Sequence, residues 1–263
     1  PLIFGIDHIH SLDSAAQEYC LKKNIPNDYR FDVHLAVDSG MGRIGCKKEE
    51  ALKQAELISS SKHLKLSGMG THLALSDCIE KNGVDYTKEQ YEYFCEAVES
   101  VKCGGLNPGI CHAGASAVSC AFSKYHLDMV RPGIIVYGYY ADQVNKDFIL
   151  KTGINLDLKP VMQFETKISA IKRFTPGLSV SYGRTWICEE ETDIAVLPVG
   201  YADGLLRRYS PGLKVAINGK EYPVVGRICM DQCMVNIGKD NKNIKLWDKA
   251  VIFGPVLQDG ELQ

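Results

Sequence analysis

Short apolar runs alternate with segments of helical spacing through the first half of this chain, and that rhythm limits its possible folds more than any other feature. The runs cover residues 2–6, 33–37, 64–69, 110–113 and 134–137, and helical periodicity fills 12–21, 49–58 and 87–101 between them. Asp13, Lys48 and Thr87 sit near the expected helix starts, and Gln90, three residues after Thr87, completes a capping-box pattern. Strand and helix repeating at this pitch mean βα units around a parallel sheet. Only about five units fit before Gly138, whereas a closed (β/α)8 barrel needs eight strands and about 250 residues. The expectation for residues 1–140 is therefore an incomplete barrel.

After Gly138 the texture changes. Residues 141–158 are polar and irregular and read as a linker. From Lys159 onward strands are favoured: 162–168 alternates apolar and polar, as does 215–217. Asn218-Gly219 between two such runs is the strongest short-range hairpin signal available. Thr175-Pro176-Gly177 and Gly254-Pro255 punctuate further turns. Residues 159–263 are expected to form an all-β domain, so the fold class is α/β plus all-β.

Composition excludes several functions. The net charge is -2 with Lys and Arg scattered, so no basic field points to nucleic acid or an anionic membrane. No apolar run approaches the roughly 20 residues of a membrane span. The ten cysteines are dispersed and read as free thiols in a reducing cytoplasm. The one close pair, Cys229 and Cys233, lacks the spacing and partners of a zinc site, so no metal is expected. The opening Pro1-Leu2-Ile3 carries no initiator Met and reads as a start inside a strand.

Four stretches carry chemistry. Val37-Asp38-Ser39-Gly40-Met41-Gly42-Arg43 follows a strand, where barrel active sites gather. Arg43 there offers bidentate recognition of a carboxylate, or is a surface residue on a flexible turn. His72, in Gly70-Thr71-His72-Leu73-Ala74, ends the next strand and is either a structural histidine or a group tuning a neighbour's charge. His112-Ala113-Gly114-Ala115-Ser116 and Asp128-Met129-Val130-Arg131-Pro132-Gly133-Ile134 suit a phosphate at a helix start, or a cap plus a turn. The last group lies in the β half: Ser181-Tyr182-Gly183, Gly200-Tyr201-Ala202-Asp203-Gly204 and Gly226-Arg227-Ile228-Cys229-Met230-Asp231. Tyr182 is there a reactive phenol or a strand-end aromatic.

In order, VDSGMGRIG, THLA, HAGAS, DMVRPGI, VSYGRT, PVGYADG and VGRICMDQ resemble the alanine racemase family over nearly the whole chain, from about Phe31 to Phe253. The resemblance implies an N-terminal TIM-like barrel followed by a β domain. It also implies racemisation of L-alanine to D-alanine for bacterial cell walls, with pyridoxal 5'-phosphate as cofactor, in a head-to-tail homodimer with shared active sites in the cytoplasm. It assigns Tyr182 as the acid/base on one face of the substrate. Arg131 becomes the partner of the pyridine nitrogen, and His72 the link between that arginine and the tyrosine. Ser116, Gly133 and Ile134 fall at phosphate-binding positions, and Arg43, Met230 and Tyr201 at substrate-binding ones. Tyr182, Tyr201 and Met230 would serve the partner subunit's cofactor.

This sequence departs from the family pattern in several places. No segment resembling V-K-A-x-A-Y-G-H, which would hold the cofactor lysine, is found among these residues. These 263 residues alone are accordingly expected to be inactive. Ala36 stands where the family often carries a carbamylated lysine bracing the substrate arginine, and Ala115 where asparagine is usual. The chain ends at Gln263, before a further phosphate-binding tyrosine is expected. Three readings follow: an alanine racemase; a serine racemase of the same family, which can carry an upstream membrane domain; and a non-catalytic ligand-binding or assembly module retaining the scaffold.

Overall fold

Alternation along one strand shows how the first half is built. In β2 (Phe31–Ala36) Val33 and Leu35 are fully buried, while His34 and Ala36 point to the opposite face. The computed structural model describes residues 1–263 apart from 27, 256, 259, 260 and 263, and describes no side chains at 257, 258, 261 and 262. The chain divides into two compact units, residues 1–158 and 159–263.

In the first unit β1 (Leu2–Ile3), β2, β3 (Leu64–Gly70) and β4 (Ile110–His112) form a parallel sheet in chain order. The intervening helices are α1 (Ile6–Lys23), α2 (Lys48–Ser60) and α3 (Lys81–Cys103). Ile9, Ala51, Ile58, Phe94 and Val101 of these helices pack against Ile3, Val33, Leu35, Leu64 and Met69 of the strands. Parallel strands joined by helices must be covered in this way, and the result is an arc of a βα barrel.

Three sequence expectations are corrected here. Residues 134–137, read as a fifth strand, form a 3-10 turn between Gly133 and the left-handed Gly138. The β preference of Ile-Ile-Val-Tyr describes packing on a pleated surface, and here Val136 N–H and Gly138 N–H bond back to Gly133 and Ile135. Thr87 does not start α3, which begins six residues earlier. The expected capping partner, Gln90, instead accepts from Ala74 N–H at 2.8 Å. Residues 141–158 are folded rather than a bare linker. Asn145 caps α5 (Lys146–Lys151) by accepting from Phe148 N–H, and Val144 and Ile149 pack with Ala117 and Cys120 of α4 (Ser116–Ala121).

The second unit is a seven-stranded antiparallel sheet. Its strands are β5 (Phe164–Lys167), β6 (Ala170–Phe174), β9 (Thr192–Leu197), β10 (Lys214–Ile217), β11 (Lys220–Val225), β12 (Cys233–Gly238) and β13 (Lys249–Phe253), with the small pair β7 (Ser179–Val180) and β8 (Trp186–Ile187) beside it. The order is β5-β13-β10-β11-β12-β9-β6. Only Ile168 and Ser169 separate β5 from β6, and their N–H groups donate to Asp248 and Val196, so the two ends of the sheet share one bent strand. Ile168, Leu197, Ile217, Val235 and Ala250 fill the interior. Among the described residues no helix is long and apolar enough to cross a membrane.

Candidate active site

The C-terminal ends of β2, β3 and β4 open into a cavity of about 360 Å³ lined by His34, Asp38, Arg43, Thr71, His72, His112 and Arg131 among others. Each wall has a local cause. The loop after β2 is folded around Asp38, whose Oδ1 accepts from Gly40 N–H and Gly42 N–H, both at 3.0 Å. Gly45 has φ +129°, and a Cβ there would meet Asp38 N at 2.4 Å, so only glycine closes the turn. Ser39 and Thr71 join hydroxyls at 2.6 Å, and Tyr86 Oη donates to Gly40 O at 2.9 Å. These bonds fix the loop that carries Arg43 into the lining.

Arg131 is the most heavily bonded group in the cavity. Its Nη2 donates to Thr71 O at 2.8 Å and lies 3.4 Å from His72 Nδ1; its Nη1 donates to His112 Nδ1 at 2.5 Å. His112 Nε2 in turn meets His34 Nδ1 at 2.9 Å. Burial, then the Arg131 charge, then His34 push His112 down to about 4. His72 is also lowered, first by burial and then by Arg131 and Arg43, with Asp77 opposing. Both rings are thus neutral near pH 7. Burial and the nearby Arg43 lower Arg131 as well, but a guanidinium remains charged. Two cations therefore face a cavity whose carboxylate, Asp38, is turned onto backbone N–H groups, and that field favours an anionic guest.

Ser116 opens α4 and is buried, and its Oγ accepts from Gly133 N–H at 2.9 Å. Two of the expected phosphate contacts are therefore bonded to one another, with Ile134 exposed beside them.

In the second unit three loops converge. Ser181, at the left-handed φ of 66°, donates its Oγ to Arg227 O at 2.5 Å. A Cβ on Gly183 would lie 3.3 Å from the Arg227 guanidinium. Tyr201 N–H donates to Cys229 O and Ala202 N–H to Met230 O, both at 3.0 Å. Tyr182, Tyr201 and Met230 stand on these tied loops with their side chains exposed. The structure thus gathers Arg43, His72 and Arg131 in one cavity, Ser116, Gly133 and Ile134 at one turn, and Tyr182, Tyr201 and Met230 on one loop cluster of the other unit.

Sequence reasoning gave no role to His34 or His112. The available signal was a histidine inside an apolar strand run, at 34, and another opening the HAGAS stretch, at 112. Their contact across β3 is a product of register, which no local pattern displays. All ten cysteines are free thiols, and among the described residues no cluster of three or more His, Cys, Asp or Glu side chains could hold a metal.

Residues 1–141 match the alanine racemase N-terminal domain and residues 161–262 the alanine racemase C-terminal domain. An alanine racemase of Treponema denticola is 44% identical over 98% of this chain and 64% of its own length. Alanine racemase 1 of Clostridium acetobutylicum is 39% identical over 96% of this chain and 61% of its own. Among solved structures, an alanine racemase of Clostridium difficile superposes with a TM-score of 0.82 at 34% identity, covering 96% of this chain and 61% of that one. The Bacillus anthracis alanine racemase with bound L-Ala-P gives 0.81 at 30% identity, over 99% and 62%. The chain thus spans about three fifths of the length of the relatives it matches. With both halves matched in order and relatives of 44% and 39% identity covering nearly all of its residues, this chain belongs to the alanine racemase family.

Proposed function

We propose that the protein carrying this chain interconverts L- and D-alanine with pyridoxal 5'-phosphate, the cofactor on which this family depends. The single observation that carries the reading is the Arg131 guanidinium, anchored by Thr71 O and His112 at a cavity it shares with Arg43. The donor set fits the cofactor: a permanent cation beside neutral imidazoles suits a ring nitrogen, and Ser116 with the backbone of Gly133 and Ile134 suits a phosphate. When bound, pyridoxal phosphate draws electrons from the substrate's Cα and makes its proton removable near neutral pH.

The chain's own residues divide the remaining work. Arg131 holds the ring nitrogen through an N–H that cannot be lost. Arg43 takes the substrate carboxylate with its fork of donors. Tyr182 Oη gives or takes the Cα proton on one face, His72 links Arg131 to that phenol, and Met230 and Tyr201 bound the substrate. Tyr182, Tyr201 and Met230, all of the second unit, act on a partner's cofactor in a head-to-tail homodimer. Inversion needs a second acid/base on the opposite face, since one group would return the proton where it took it. The family lysine that fills this role is not among these residues.

The test is therefore made on the full-length protein. With added cofactor it should form D-alanine from L-alanine, and Tyr182→Phe should lower the rate roughly 100-fold or more, as expected for a lost general acid/base. Faster turnover of L-serine would replace alanine as the substrate. Failure to take up the cofactor at all would overturn the reading in favour of a non-catalytic scaffold.

A further inference from the structure

The two histidines form a bridge that the proposed reaction does not by itself require. Register pairs His34 of β2 with Gly68 of β3, and Gly70 of β3 with His112 of β4. Both glycines leave a notch for a ring: a Cβ at 68 would come within 2.5 Å of His34, and one at 70 within 2.0 Å of His112. The imidazoles therefore meet over a strand stripped of side chains at those two points.

Donor and acceptor logic then runs in one direction. A guanidinium only donates, so His112 Nδ1, at 2.5 Å from Arg131 Nη1, must accept. A neutral His112 accepting at Nδ1 carries its proton on Nε2, and that N–H needs an acceptor. His34 Nδ1, at 2.9 Å, is the atom in place. Were His112 to take the other tautomer, two N–H groups would oppose each other at the guanidinium. We infer that His34 is a positioning residue: by accepting from Nε2–H it reinforces the tautomer of His112 that Arg131 demands, and so holds the Arg131 guanidinium in the orientation in which it lines the cavity.

The effect on cofactor rests on the function proposed above; the tautomer does not, and the two can be separated. Imidazole 15N shifts of the full-length protein should show His112 as the Nε2–H form. In His34→Leu, the Nδ1–H form should become populated and cofactor retention, followed by its absorbance during dialysis, should weaken about tenfold. His34→Asn, whose Oδ1 can stand near the lost Nδ1, should restore both. A wild-type His112 in the Nδ1–H form, an unchanged tautomer in folded His34→Leu, or no restoration by His34→Asn would each overturn the inference. A wild-type Nδ1–H form overturns it even if both variants fail to fold. A wild-type protein that binds no cofactor would instead defeat the functional reading alone.

Discussion

Arg131 gathers more hydrogen bonds than any other side chain in the cavity, and besides two backbone carbonyls they reach two imidazoles whose protonation its charge opposes. His112 shows this most strongly, being held at about 4 in the fold by burial, Arg131 and His34, against about 6.5 in an unfolded chain. Between those two values the unfolded state binds more protons, so stability rises as pH climbs from about 4 to 6.5 and is level above. Its full span is about 3 kcal/mol. Urea unfolding between pH 4 and 7 should show this slope, and His112→Phe should flatten it; an equal slope in the variant would refute the assignment. None of this was legible in the residue letters. Arg43 and His72 stood out because each follows a strand in a glycine-rich or polar turn, and Arg131 through the family resemblance of its stretch, whereas His34 and His112 are related only by pairing across β3.

Elements were legible where local chemistry and tertiary demand agree. Asn218 and Gly219, with φ of 49° and 77°, make the two-residue hairpin turn that pairs Ile217 with Lys220. Gly177, at φ 89° after Pro176, turns the chain as Thr175-Pro176-Gly177 requires. The 134–137 run failed because β preference cannot supply a partner strand, and the Thr87 capping box failed because α3 continues upstream through Gly83. That glycine packs so tightly on Cys78 that a Cβ would meet its Sγ at 2.5 Å. Thr87 is left inside α3, buried, with its Oγ1 lacking a hydrogen-bond partner among the described residues. An unmet buried hydroxyl costs about 1–3 kcal/mol, so Thr87→Val, of nearly the same shape, should leave the protein as stable or more so. A lower melting temperature in that variant would show that the hydroxyl is satisfied in solution.

For the molecule as a whole, the onset of strand-favouring sequence at Lys159 marks a change of architecture: βα repetition leads up to it, antiparallel strands follow it. The second unit has its own core around Ile168, Leu197, Ile217 and Val235. Residues 159–263 expressed alone should therefore unfold cooperatively on heating, followed by circular dichroism; a broad, non-cooperative loss of signal would show dependence on the first unit. The bend at Ile168 and Ser169 determines how that unit could be rewired. Because a single stretch of chain clasps β13 on one flank and β9 on the other, new termini opened at the clasp would loosen two ladders together, whereas new termini at Asn218–Gly219 would cut only a turn. Circular permutants should tolerate the second break and not the first, which makes two ordinary residues the hinge-pin of a hundred-residue unit.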